Sequence, residues 1–187
     1  MTTTTTVPWN DELLLQLTWH WEQQLRPRLS GLIDDEYFWE PVAGCWNLRL
    51  RGSTTTPIAG GSGDWQIEFA APAPEPAPVT TIAWRLGHLL VGVLGARLAS
   101  HFDGPPVDYL GYDYPGTADT ALARLDAMYD AWIAGVRSLG EDGLHRACGE
   151  DGFETMSMAA LVLHIHRELI HHGAEIALLR DLYAHRS

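Results

Sequence analysis

Residues 164–182, HIHRELIHHGAEIALLRDL, carry four histidines and two glutamates on one stretch of helical periodicity. Imidazole and carboxylate together make a donor set suited to zinc and other divalent first-row metals. At about 100° per residue, Leu161, Ile165, Ile176, Leu179 and Tyr183 share one apolar face, and Glu168 and His172 fall within it. An i,i+4 pair stands one turn apart on the same side of a helix, close enough to share an ion. His164, His171 and Glu175 lie on the flank of that face, while His166 and Arg167 point away, to solvent or a partner.

A catalytic zinc takes three protein ligands and keeps a fourth position open. His88 is the expected third ligand, because it stands on the apolar stripe Trp84, His88, Val91, Gly95, Leu98 and Phe102 of another helical segment. His20, in TWHWE, is a weaker candidate, one position off the stripe of its own helix. His164 and His171 are expected outside the ligand set; His164 lies one turn from Glu168 and could orient it by a hydrogen bond. The same Glu168/His172 pair would equally serve a purely structural role, paired with each other or with an arginine. Two familiar motifs do not fit. The HExxH zinc motif needs a glutamate directly after its first histidine, and neither His164 nor His166 has one. ELIH, from Glu168 to His171, matches half of a di-iron helix motif, but no second ExxH exists in the chain.

Four helices are expected to position these groups. The first spans residues 10–30, capped by Asn10 or Asp11, with Leu13, Leu14, Leu17, Trp21 and Leu25 inward and Pro27 disturbing its last turn. DDEYFW, at 34–39, has room for one more turn. The second helix runs from Thr80 or Thr81 to about His101, the third from Thr117 to about Leu139, and the fourth from near Ser157 to about Ala184. Between the first two, residues 42–79 lose helical periodicity and carry GSTTTP, GGSG and APAPEPAP. That stretch is expected to be a long surface loop, with at most one short strand at WQIEF and a place on the rim of a site. The resulting fold class is all-α: a four-helix bundle with a long irregular connection between helices 1 and 2, as a single domain over 1–187 whose residues 1–8 are flexible.

Composition narrows the function. The formal charge of −12, from 24 acidic and 12 basic residues, repels phosphate backbones and anionic lipid. No nucleic-acid or membrane partner is therefore expected. Cys45 and Cys148 form neither a CxxC pair nor a disulfide framework. MTTTTTVPW lacks the basic start and apolar core of a secretory signal, and the longest apolar run, LLVGVLGARLA, is interrupted by Arg97. A soluble, cytoplasmic protein follows from these features.

TTIAWRLGHLLVGVLGAR, followed far downstream by HIHRELIHHGAEIALLRDLY, resembles the DinB-like superfamily of metal-binding four-helix bundles. LTWHWEQQLRPRLSGLIDDEYFWEPVAGCW resembles the opening of an actinobacterial branch related to mycothiol-dependent maleylpyruvate isomerase. The resemblance implies one ligand histidine on the second helix, matching His88, and an HxxxH pair on the fourth. Here Glu168 stands in the first position of that pair and His172 in the second. A His/Glu/His set is similar to the zinc site of that isomerase branch. Such relatives are mostly low-molecular-weight thiol transferases, and the chain's lack of lysine fits a GC-rich host in which mycothiol would be the thiol.

The resulting expectation is a zinc-dependent thiol transferase or isomerase, with nickel or iron as other ions and mycothiol as possible co-substrate. Thiol and electrophile would be its small-molecule partners, with Arg85 or Arg180 meeting an acidic group. Cys45 is a rival nucleophile, and a hydrolase using metal-activated water is a second enzymatic alternative. The alternative of a different class is a non-catalytic homodimer that binds a small ligand, with a vestigial or structural metal site and with some of the eight tryptophans at its interface.

Overall fold

A computed structural model describes residues 7–186; most of the N-terminal segment expected to be flexible, residues 1–6, lies outside the described residues. Four long helices dominate. Helix α1 is continuous from Trp9–His20 through a π-helical stretch, Trp21–Leu25, into a last turn, Arg26–Arg28. A single-turn helix α2, Asp34–Tyr37, follows. Helix α3 joins Ile82–His88, a π-helical stretch Leu89–Gly95, and Ala96–His101. Helix α4 covers Ala118–Leu144 and kinks at Gly140, whose φ of 56° interrupts the helix. Helix α5 covers Met158–Ala184.

The caps explain three of the four starts. Thr81, Thr117 and Ser157 each accept a hydrogen bond from the backbone N–H three residues on, satisfying an otherwise unpaired donor of the first turn. Helix α1 is different, since it has no side-chain cap. Asn10 is instead buried, donating to the Val136 carbonyl at 2.9 Å, while its own N–H donates to Glu141 at 2.8 Å. A long-range bond thus replaces the local cap expected of Asn10.

Helix directions follow from paired contacts. Asn10 meets Val136 and Arg26 meets Asp126, so α1 and α4 are antiparallel. Leu25 lies beside Gly173 and Arg28 bonds Asp181, so α1 and α5 run the same way. Their shared core includes Leu17, Leu86, Leu89, Leu90, Leu94, Trp132, Val136 and Ile176, each fully buried. Each large side chain so removed from water contributes roughly 1.5–3 kcal/mol before entropy is counted. One helix, Ile82–His101, is long and apolar enough by composition to cross a membrane, with a mean hydropathy of 1.3. Its apolarity is that of α3 in the protein core, where most of that helix is buried.

The 42–79 connection is not an irregular loop. It contains strands β1, Leu48–Leu50, β2, Ile58–Gly60, and β3, Trp65–Phe69, in an antiparallel sheet of order β1-β3-β2. Leu48 pairs with Ile67, and Gly60 pairs with the same residue from the other side. The sheet packs into the bundle core: Leu48 and Ile67 are buried in it, and Glu68 is buried too, accepting from Arg49 at 2.8 Å and from the Thr55 N–H at 2.6 Å. The chain is therefore mostly helical but not all-α. The one strand expected, WQIEF, is β3; the three-residue β1 and β2 carry too little local periodicity to stand out, and pairing with β3 stabilises them.

A second non-helical segment, residues 102–117, returns along α3. Val107 sits over Gly95, Tyr109 over Gly92 and Tyr114 over Gly87, so three glycines form a furrow that receives it. The turn between β2 and β3 ties it down, with Gly61 N–H donating to Leu110 O and Ser62 N–H to Tyr112 O.

Candidate functional site

His88 ends the α-helical part of α3, and the π-helical stretch begins at the next residue. Such widened turns occur often at functional sites. Its ring stacks on Trp84 at a centroid distance of 5.5 Å and meets the His172 ring edge-on at 4.8 Å and 86°. Burial first, and then the neighbouring His172, push the His88 pKa down to about 4. The imidazole is therefore neutral near pH 7, the form in which histidine ligates metals. Its Nδ1 lies 2.5 Å from the Tyr109 hydroxyl, whose own pKa burial raises to about 12.

His172 is buried on α5. Its Nδ1 is 2.7 Å from Glu175 Oε2, and its Nε2 is 3.6 Å from Glu168 Oε2. A carboxylate only accepts, so the short bond to Glu175 places a ring proton on Nδ1, and Nε2 faces Glu168. Arg85 ion-pairs with Glu175 and lies 3.2 Å from the same Nδ1. Glu168 is partly exposed, with His164 at 3.5 Å and Arg167 at 3.6 Å from its Oε1.

The spacing suits a divalent ion. Nitrogen and oxygen donors about 2.0–2.2 Å from a tetrahedral zinc lie roughly 3.3–3.6 Å from each other. The 3.6 Å between His172 and Glu168 matches that range, with the His88 ring against His172. A tighter group exists on the flank of α5, where donor atoms of His171, His172 and Glu175 all lie within 4.8 Å of one another. The Arg85 guanidinium pressed on Glu175 opposes a cation there, and it would compete for the Nδ1 side of His172. In the inner set, His88, Glu168 and His172, the carboxylate is ion-paired more loosely, with a mostly exposed Arg167 at 3.6 Å.

Other sequence expectations fare differently. His171 is exposed and His164 half-buried, and His164 Nδ1 lies 3.5 Å from Glu168 Oε1. His166 does not face solvent: it is buried beside Trp132, with its Nε2 lacking a hydrogen-bond partner and its pKa pushed down to about 4 by burial. The helix turns it toward α4, a neighbour that periodicity on α5 alone does not reveal. His20 lines a separate groove with Leu25, Gly173 and Ala177. Arg85 is held by Glu175 and Arg180 by Glu36, so neither guanidinium is free to meet a substrate acid. Cys45 is buried, donates its S–H to the Val42 carbonyl and has its pKa raised by burial, the opposite of an activated thiol.

Tyr109 was not legible as a site residue. It lies in VDYLGYDYPG, a stretch with no periodicity, and only the fold carries it to His88. Glu175 was visible as a flank residue, but its bond to His172 was not.

A family description, the DinB superfamily, matches residues 16–176, reaching from within α1 to within α5. No curated protein and no solved structure matches the chain. With a match of that extent, the chain belongs to the DinB superfamily.

Proposed function

We propose that the protein is a metal-dependent enzyme of the thiol transferase kind, with His88, Glu168 and His172 holding a divalent ion, zinc in the first instance and nickel or iron as alternatives. One observation carries this: two edge-to-face imidazoles, His88 and His172, have their Nδ1 atoms engaged by Tyr109 and Glu175, and the Glu168 carboxylate stands 3.6 Å from the His172 Nε2. A zinc ion in such a site would lower the pKa of a bound thiol and hold it as thiolate at neutral pH.

The chain's own residues supply the surroundings. Glu175 accepts the His172 Nδ1 proton and fixes that ring's tautomer. Trp84 covers one face of His88, excluding water from it. A cavity of about 350 Å³ lies alongside, lined in part by Arg97, Phe153, Leu161, His164 and Arg167. None of His88, Glu168 and His172 lines it, but its His164 and Arg167 contact Glu168, and it has the size of a small-molecule pocket. It is the proposed place for the electrophile, and the branch resemblance makes mycothiol the first thiol to try.

The test is metal analysis of protein purified without a histidine tag, followed by thiol-dependent consumption of 1-chloro-2,4-dinitrobenzene. Near-stoichiometric zinc that is lost in Glu168→Ala and His172→Ala supports the assignment. Unchanged metal content in both variants overturns it. Bound metal without turnover with mycothiol, bacillithiol or glutathione would instead favour a non-catalytic dimer. One observation favours that second reading: Trp9, Leu15 and Trp19 on α1 and Leu163, Ile170 and Leu178 on α5 are exposed. Sedimentation of the wild type against Trp19→Ser decides whether that face joins two copies.

A further inference from the structure

We propose that Tyr109 is a positioning residue for His88: its phenol oxygen accepts the His88 Nδ1–H and so keeps the Nε2 lone pair turned toward Glu168 and His172. This rests on the metal site proposed above and adds to it the residue that sets the orientation of its second-helix ligand.

The geometry points to a built contact. Tyr109 Oη lies 2.5 Å from His88 Nδ1, and the two rings are nearly parallel, 13° apart with centroids at 6.2 Å. Two glycines admit the tyrosine. A Cβ on Gly92 would overlap the Tyr109 hydroxyl and come within 3.1 Å of His88 Cε1, and a Cβ on Gly60 would overlap the Tyr109 carbonyl. The backbone around Tyr109 is anchored on both sides: Tyr114 Oη donates to Tyr109 O at 3.1 Å, and Gly61 N–H donates to Leu110 O at 2.9 Å. Helix α3, the returning segment and the sheet therefore converge on one hydrogen bond.

The two histidines are held by chemically different partners. Glu175 can only accept, so it permits one tautomer of His172. A phenol both donates and accepts, so Tyr109 serves either tautomer of His88. Coordination through Nε2 requires the proton on Nδ1, and the hydroxyl oxygen is then its acceptor. The partner of a ligand histidine's second nitrogen commonly changes metal affinity ten- to a hundredfold.

The experiment uses the full chain, ¹⁵N-labelled, as wild type, Tyr109→Phe and His88→Ala. Histidine ring spectra are recorded without metal and with zinc, and zinc affinity is measured by competition with a chromophoric chelator. In Tyr109→Phe the expected result is a ten- to hundredfold weaker zinc affinity at unchanged stoichiometry, with an altered ¹⁵N shift of the His88 Nδ1. Circular dichroism that matches the wild type accompanies it. Unchanged affinity and an unchanged His88 ring in Tyr109→Phe overturn the assignment of Tyr109 alone, provided His88→Ala has lost zinc. Zinc binding that survives His88→Ala overturns the metal site itself.

Discussion

His172 gives its Nδ1 proton to Glu175 across 2.7 Å, and the Glu175 carboxylate is itself ion-paired with Arg85. The imidazole is thereby aimed from behind, leaving Nε2 for Glu168. Glu175→Gln removes the charge that makes the ring a better donor, so zinc affinity should fall about ten- to a hundredfold while one ion per chain still binds. His171→Ala, altering an exposed neighbour, should leave the affinity unchanged. The opposite pattern, loss in His171→Ala and none in Glu168→Ala, would move the ion to the outer group of His171, His172 and Glu175. Competition titrations of the three variants measure this directly.

Gly92→Ala sets two effects of opposite sign against each other. In a helix interior alanine is favoured over glycine by roughly 1 kcal/mol. Here the new Cβ would overlap the Tyr109 hydroxyl, and overpacking of that kind costs typically 1–3 kcal/mol. A net loss of up to about 2 kcal/mol is expected, read from the urea midpoint, together with displacement of Tyr109 from His88.

Burial depresses the His166 pKa to about 4, below its ordinary 6.5. Between those values the unfolded chain takes up a proton that the folded one refuses. Stability therefore falls as pH drops from about 6.5 toward 4, by up to about 1.4 kcal/mol per pH unit for this one group. His166→Phe should flatten the slope of stability against pH by about one proton across that window. Urea denaturation at pH 7, 6 and 5 provides the comparison, and equal slopes in both proteins would contradict it.

Glu68 ties the sheet together from inside. It is fully buried and bonded to Arg49, Thr55 and the Asn47 N–H. Arg49 keeps its ion pair with Glu40 at 2.8 Å, so the cost of removing Glu68 is that of the buried donors it leaves unsatisfied, about 1–3 kcal/mol. Glu68→Ala should lower the urea midpoint accordingly, and hydrogen exchange should show Leu48–Leu50 and Trp65–Phe69 losing protection first.

The legible parts of the fold were those with local causes. Thr81, Thr117 and Ser157 announce helix starts because a capping oxygen acts on an N–H three residues away. On α5 the core face followed from spacing, with Leu161, Ile165 and Ile176 buried; on α3 the expected stripe is buried at Val91, Gly95 and Leu98, while Leu86 and Leu90, off that stripe, are buried as well. Asn10 misled for the same reason: its side chain looks like a cap, but Val136 is the stronger claim on it. Within 42–79 the alternation of WQIEF marked β3, but β1 and β2, three residues each among glycines and prolines, have too little periodicity of their own to show.

Sequence alone determined that Glu168 and His172 stand one turn apart and that His88 belongs to another apolar stripe, since helical pitch is a local property. Whether His166 was buried, whether Arg85 was free, and which hydroxyl would meet His88 were decided only in three dimensions. Those answers depend on which helix packs opposite, on where the 102–117 segment returns, and on the glycine furrow that lets Tyr109 in. Contacts between residues far apart in the chain leave no period for a sequence to display.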